Sequence, residues 1–340
     1  FCFVKILLIS PTQSGIGGIA QHVQGLKNFL KNEGNNVEII SSENTFTIPI
    51  KGLKNPSFMI SSSLKAKFKK NNDIVHAHNI PSAKAMKNAS GKKILTIHGI
   101  YSQQVENLHN KTTSKIAANF EKEALEWANA ITVVSKDAFD YYKKLGLNVY
   151  HIPNSINIDS LSTKSDRRYK KQIIFAGRLS SEKGIDVLLD LIQILPSDIH
   201  LIILGSGPKE NLIKNIKKPN VDYLGYLPKN ETISLIRGSD ILIQPSLIEG
   251  ISSTILEAMA CKVPVITTNV GGNKEIIENN KTGILIEPTS QKLLEEIKKL
   301  FVNYELKNRL IDSAYANVQK YDWKNVGKLY LNLYIKLLKS

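Results

Sequence analysis

The chain has 340 residues, more than one comfortable core holds and enough for two α/β domains. An apolar fraction of 42% sets disorder aside. Two cysteines, Cys2 and Cys261, exclude a disulfide framework and suit a reducing cytosol. The net charge of +15 is spread, with +8 over residues 1–160 (19 basic, 11 acidic) and +7 over 161–340 (26 basic, 19 acidic), so it forms no nucleic-acid tail.

The opening Phe1–Ser10 is apolar but lacks a basic leader and a small-residue cleavage site, so Val4–Ile9 reads as a first buried strand. No other apolar run is long enough to span a bilayer. After a glycine-rich stretch, Ile19, Val23, Leu26 and Leu30 fall on one helical face. Strands are expected at Val37–Ile40, Asp73–Ala77, Lys93–Ile97, Ala130–Val134 and Asn148–Ile152, with amphipathic helices between them. Phe58–Lys70 interleaves Phe58, Met59, Ile60, Leu64 and Phe68 with four lysines. Two readings stay open for it: a helix packed on its own sheet, or one lying on an anionic membrane.

The polar stretch Asn154–Lys171 reads as a linker. The alternation then restarts with strand Gln172–Ala176 and helix Glu182–Ile194. Further strands follow at Ile199–Leu204, Val221–Leu224, Ile241–Ile243, Val263–Thr267 and Gly283–Ile286, and a helical tail runs from Lys292 to Lys339. This pattern predicts an α/β protein of two doubly wound domains facing a cleft, with ligand sites at the carboxyl ends of the strands.

Four constellations carry chemistry. Gln244–Ala260 follows a strand and opens a helix whose first-turn amides, from Ser252, Ser253 and Thr254, can hold a phosphate, with Glu249 and Glu257 beside it. Thr254 and Glu257 also fit a capping box, which would make Glu257 structural. In Ala176–Gly184, Arg178 ends a strand and Lys183 is expected to begin the next helix. A cation there opposes the helix dipole unless an anion completes the site. Ser14–Ala20 formally matches G-x-G-x-x-A, with Glu38 near a ribose position. The residues between strand and glycine argue against a nicotinamide site, and the stretch reads as a loop approaching a ligand. His98, before Gly99 at a strand end, is a site candidate. His76 and His78 alternate on a strand, and no third ligand at recognisable spacing accompanies them, so no metal is expected. No D-x-D pair occurs, which leaves phosphate charge to Arg178, Lys183 and helix amides.

Together these motifs resemble the large retaining glycosyltransferase family 4, of GT-B fold. The resemblance rests on Glu249 and Glu257 as E-x7-E, followed by Ala258-Met259-Ala260, Pro264–Thr268 and Gly271–Glu275. It rests too on Ala176–Gly184, Leu204–Pro208, Tyr223–Pro228, Ile152–Asn154, Gly17–Gly18 and Tyr321–Trp323, and so covers nearly the whole chain. It implies domains over 1–160 (acceptor side) and 161–320 (donor side), with 321–340 a helix crossing back to the first. Arg178 and Lys183 would hold the donor diphosphate, Glu257 the ribose, and Glu249 with Ile251, Ser252 and Ser253 the sugar. Gly17, Gly18, Gly205 and Tyr226 would line the donor, and His98 would sit by the reacting centre. The chain departs from the pattern at Ile251–Thr254, where a glycine-containing run is usual, and at Lys262, where glycine is often found.

The implied activity is retaining transfer from a UDP- or GDP-linked sugar to a hydroxyl of a glycan or lipid-linked acceptor. No metal or other cofactor and no nucleic-acid partner is expected, and the location is cytoplasmic, with peripheral contact at the inner membrane face open. The rivals are an epimerase or phosphorylase of the same fold, and a nucleotide-sugar-binding protein without catalysis.

Overall fold

The computed structural model describes residues 3–13, 18–50, 53–99 and 111–340, with the backbone alone over 111–117. The chain divides into two compact units: residues up to Ser155 together with Trp323–Ser340, and Ile156–Asp322.

In the first unit the strands are β1 (Lys5–Ser10), β2 (Asn36–Ser41), β3 (Ile74–His78), β4 (Lys92–Ile97), β5 (Ala130–Val133) and β6 (Val149–His151). They form one parallel sheet in the order β2-β1-β3-β4-β5-β6. Strand alternation splits the apolar residues between two faces. Leu7, Ile9, Val75 and Ala77 enter one core, Ile6, Leu8, Ile74 and Ile94 the other. The helices are α1 (Gly18–Asn32), α2 (Lys54–Lys67), α3 (Ala83–Asn88), α4 (Lys111–Glu126) and α5 (Lys136–Lys144). The C-terminal helix Trp323–Lys339 packs on α1 through two glycines. A Cβ on Gly25 would lie 2.0 Å from the Trp323 indole nitrogen, and one on Gly327 would lie 2.4 Å from the Phe29 ring.

The second unit holds β7 (Gln172–Ala176), β8 (His200–Leu204), β9 (Val221–Gly225), β10 (Ile241–Gln244), β11 (Val265–Thr268) and β12 (Ile284–Ile286), parallel in the order β12-β11-β10-β7-β8-β9. Its helices are α6 (Ile185–Ile194), α7 (Glu210–Lys214), α8 (Lys229–Gly238), α9 (Ser253–Ala260), α10 (Asn273–Ile276), α11 (Ser290–Val302) and α12 (Tyr304–Val318). Every strand expected from the sequence forms within two residues of its expected limits.

Two expectations need correction. The stretch 154–171 is no free linker, because Ile156 and Leu161 are buried in the second unit's core and Arg167 pairs with Asp240 at 2.8 Å. The helical tail is three helices, broken at Asn303, whose side chain caps α12, and at the turn Gln319–Tyr321. Of the two readings of Phe58–Lys70, packing on its own sheet holds for Phe58. It is fully buried, while Leu53, Ile60, Leu64 and Phe68 are exposed.

Each sheet reverses its winding once, between β1 and β3 in the first unit and between β7 and β10 in the second. Loops leaving adjacent strands at such a reversal diverge to opposite faces and open a crevice at the strand carboxyl ends.

Candidate functional site

At the reversal of the second unit, the loop after β7 meets the loop after β10. Lys183 does not open the helix as expected. It closes a 3-10 turn, Ser181–Lys183, and α6 begins only after Gly184, which sits at φ 71°. The reason is steric, since a Cβ on Gly184 would lie 1.8 Å from the Pro245 carbonyl oxygen. The Glu182 carbonyl accepts the amides of Leu247 (2.8 Å) and Ile248 (3.1 Å), which fastens the two loops together.

That geometry delivers the Lys183 ammonium onto the Glu249 carboxylate. Ser246 donates to the same carboxylate oxygen at 3.1 Å and Gln244 at 3.4 Å, while Ser252 donates to the Gln244 side-chain oxygen Oε1 at 3.2 Å. Gly271 and Gly272 press on the backbone of this loop. Gly271 lies at φ 47°, and its Cβ would sit 1.8 Å from the Glu249 carbonyl oxygen. Arg178 reaches outward and is 65% exposed, with Glu182 a distant 3.9 Å away. A pair that long and that open leaves the guanidinium available to an anion.

Glu257 is buried in α9, and its carboxylate is met by the Lys229 ammonium from the start of α8. The capping-box reading fails, because the position that caps α9 is Ser252 rather than Thr254. Ile251 and Ser252 are buried, and Ser253 is the first residue of α9. Gly205 is required by packing. At φ 125° its Cβ would meet the Gly177 carbonyl oxygen at 1.8 Å, and its amide donates to Gly225 at 2.7 Å. Tyr226 is exposed beyond β9. Lys262, at the position where glycine is common, has φ 59° just past the end of α9. That left-handed conformation is the one a glycine there would adopt without strain.

In the first unit the reversal gathers imidazoles. His76 and His78 point from β3 to the face covered by α1 and the C-terminal helix, His98 follows β4, and His22 comes from α1. His76 is tied to the Tyr334 hydroxyl at 2.7 Å and to Thr96 Oγ1 at 2.5 Å. His78 Nδ1 faces His98 Nε2 at 3.3 Å, and the His98 amide donates to Asn79 at 3.0 Å. His22 Nε2 meets the Tyr330 hydroxyl at 3.2 Å. Burial pushes the His98 imidazole down to about 4 and that of His76 to about 3. The same desolvation, with neighbouring rings adding to it, holds His22 and His78 well below their usual value. Gly18, exposed, opens α1, while Gly17 lies outside the described residues. Glu38, the ribose candidate of the dinucleotide reading, is engaged by Lys69 at 2.6 Å.

Sequence reasoning missed His22, Lys229 and the bracing by Ser246. Lys229 directly follows the quoted Tyr223–Pro228 run, which was a usable signal. His22 carries none, since only the packing of α1 brings it to β3.

Residues 158–317 match the family described as Glycosyl transferases group 1, and residues 16–160 match Glycosyltransferase Family 4. An uncharacterized glycosyltransferase of Methanocaldococcus jannaschii is 28% identical, over 97% of this chain and 99% of its own length. A phosphatidyl-myo-inositol mannosyltransferase of Mycobacterium leprae is 23% identical, over 97% of this chain and 96% of its own. Among solved structures, a sucrose-phosphate synthase from Thermosynechococcus elongatus superposes with a TM-score of 0.82 at 18% identity, covering 98% of this chain and 99% of that one. The Anabaena protein HepE in complex with UDP-glucose superposes at 0.75 and 18% identity, covering 97% and 99%.

Proposed function

The chain belongs to the glycosyltransferases of group 1 and family 4, with the two-domain GT-B fold, and we propose that it moves a sugar from a nucleotide diphosphate donor to an acceptor hydroxyl with retention and without a metal. The observation that supports this most is the group at the second reversal: Arg178 extended and lightly paired, Lys183 braced on Glu249, and α9 opening beside them. Fixed cations and helix amides are what a departing diphosphate needs, and they act without reorganising when its charge develops.

In this reading Arg178 and Lys183 hold the diphosphate, and Glu257 takes the ribose hydroxyls. Glu249 and the segment Ile251–Ser253 face the sugar, with Gly205 and Tyr226 lining the donor. Glu249 is not assigned a nucleophile's role, since Lys183, Ser246 and Gln244 already engage its carboxylate. The acceptor attacks on the face the diphosphate leaves, and the leaving phosphate oxygen takes the acceptor proton. His98, neutral by burial, would meet a sugar as a hydrogen-bonding group rather than a cation.

The acceptor is a hydroxyl of a glycan or of a lipid-linked sugar. The apolar row Leu53, Ile60, Leu64 and Phe68 on the outer side of α2, with Lys54 and Lys67 on the same helix, supports peripheral contact with an anionic membrane from the cytoplasmic side. Among the described residues no helix is long and apolar enough to cross a membrane. Co-sedimentation with vesicles should rise with their anionic lipid content and fall in Ile60→Ser/Phe68→Ser. Binding that ignores both ends the membrane reading.

The decisive experiment is thermal stabilisation by UDP, GDP, ADP and their sugars, with and without EDTA, in wild type and Arg178→Ala. A shift with one nucleotide, unaffected by EDTA and lost in the variant, is expected. No shift with any nucleotide overturns the reading.

A further inference from the structure

We propose that His22, His78 and His98 form a binding site for one divalent transition-metal ion of the zinc class. Each offers a ring nitrogen, and the three nitrogens lie within 4.8 Å of one another. Spacing alone paired His78 with His76, but His76 is turned to Tyr334 and Thr96, and the two other ligands come from α1 and the end of β4.

The edge between His78 Nδ1 and His98 Nε2, 3.3 Å, has the length two ligands take around a tetrahedral ion at 2.0–2.1 Å, about 3.3 Å. The remaining edges need close by at most about 1.5 Å, the swing of one ring. His22 is buried, and with its Nε2 on Tyr330 it offers Nδ1, which among the described residues has no hydrogen-bond partner. The outer bracing a metal site needs is also present. Tyr330 engages Nε2 of His22 and so orients its ring, and the His98 backbone is pinned by Asn79. Three imidazoles with no carboxylate favour Zn2+, Co2+, Ni2+ or Cu2+ over Mg2+ and Ca2+, and leave a fourth position open to water or an anion.

The proposed transfer has no use for such an ion. On that reading an ion here takes the His98 ring from the sugar, so micromolar Zn2+ should inhibit turnover and EDTA should restore it.

The direct test needs no substrate. Chelator-treated, untagged protein is titrated with Co2+ and then with Zn2+, in wild type, His78→Asn and His22→Gln. The expected result is the strong visible absorption of four-coordinate Co2+, displaced by one equivalent of Zn2+ and untouched by Mg2+. Each substitution should weaken binding by at least about tenfold. Circular dichroism and the fluorescence of Trp127 and Trp323, both in this unit, report whether a variant is folded. If one variant unfolds, the wild-type spectrum and the other decide. Absence of the visible band, or equal affinity in folded variants, overturns the site. Because nucleotide stabilisation is measured separately, loss of either result leaves the other standing.

Discussion

The two units share a winding and differ in how they treat charge at its reversal. The second unit's site is ionic: Lys183 on Glu249, Lys229 on Glu257, and Arg178 free to reach. The first unit's site is neutral, four imidazoles and several hydroxyls stripped of water and held uncharged. Buried carboxylates need cations beside them, and the same cations can be lent to a diphosphate. Neutral imidazoles instead suit hydroxyl groups, which want hydrogen bonds and no net field. The contrast makes a division of labour that experiments can separate, since both tryptophans lie in the first unit and fluorescence reports that unit alone.

The largest effect is expected from the ionic side. Lys183→Ala strands Glu249 and, on the proposed reading, removes a fixed cation from the leaving group, so kcat should fall by about 10²–10³-fold. Nucleotide-dependent stabilisation should shrink with it. Steady-state kinetics settle the point, and a fall of less than about threefold would mean the pair with Glu249 is only structural.

Gly184→Ala attacks the same site through the backbone. A left-handed φ and a Cβ 1.8 Å from the Pro245 oxygen leave no room for a methyl group, so a loss of about 2–4 kcal/mol is expected. Urea unfolding followed by far-ultraviolet circular dichroism should show a transition moved to lower urea, while the tryptophan transition stays. A tryptophan transition that moves equally would show the two units unfolding as one.

How far the sequence revealed all this follows the same division. Strands were legible because parallel β-strands buried on both faces are unbroken apolar runs, as in Ile173–Ala176 and Leu201–Leu204. The placement of Arg178, Lys183 and Glu249 at the strand ends was legible because they sit at fixed offsets from apolar runs and glycines. What local pattern could not show is where chains far apart meet. His22 reaches β3 only because Gly25 and Gly327 let α1 and the C-terminal helix close up. Lys183 looked helical until the Pro245 carbonyl, more than sixty residues on, imposed the turn at Gly184.

The neutral side predicts an acid response. Burial lowers the histidines in the folded state, so the unfolded chain binds protons first, and stability is full above about pH 6.5 and falls as pH drops toward 4. With EDTA present, the fluorescence-detected urea midpoint should decline over that window. A flat response between pH 6.5 and 4.5 would mean the imidazoles gain solvent or partners in solution.

The smallest effect tests whether the ionic side is uniform. Lys229 meets Glu257 but is 42% exposed, so water shares its work, and on the proposed reading the pair serves the ribose rather than the diphosphate. Lys229→Met should then weaken ground state and transition state alike, raising the donor KM about tenfold with kcat within about threefold. Glu257→Gln should do the same, and the double variant little more, because the two act as one unit. The opposite split, a low kcat with an unchanged KM, would move Lys229 to the leaving group. The cations stabilising its charge would then be three, with Arg178 and Lys183, and Glu257 would be the partner that restrains one of them until the donor arrives.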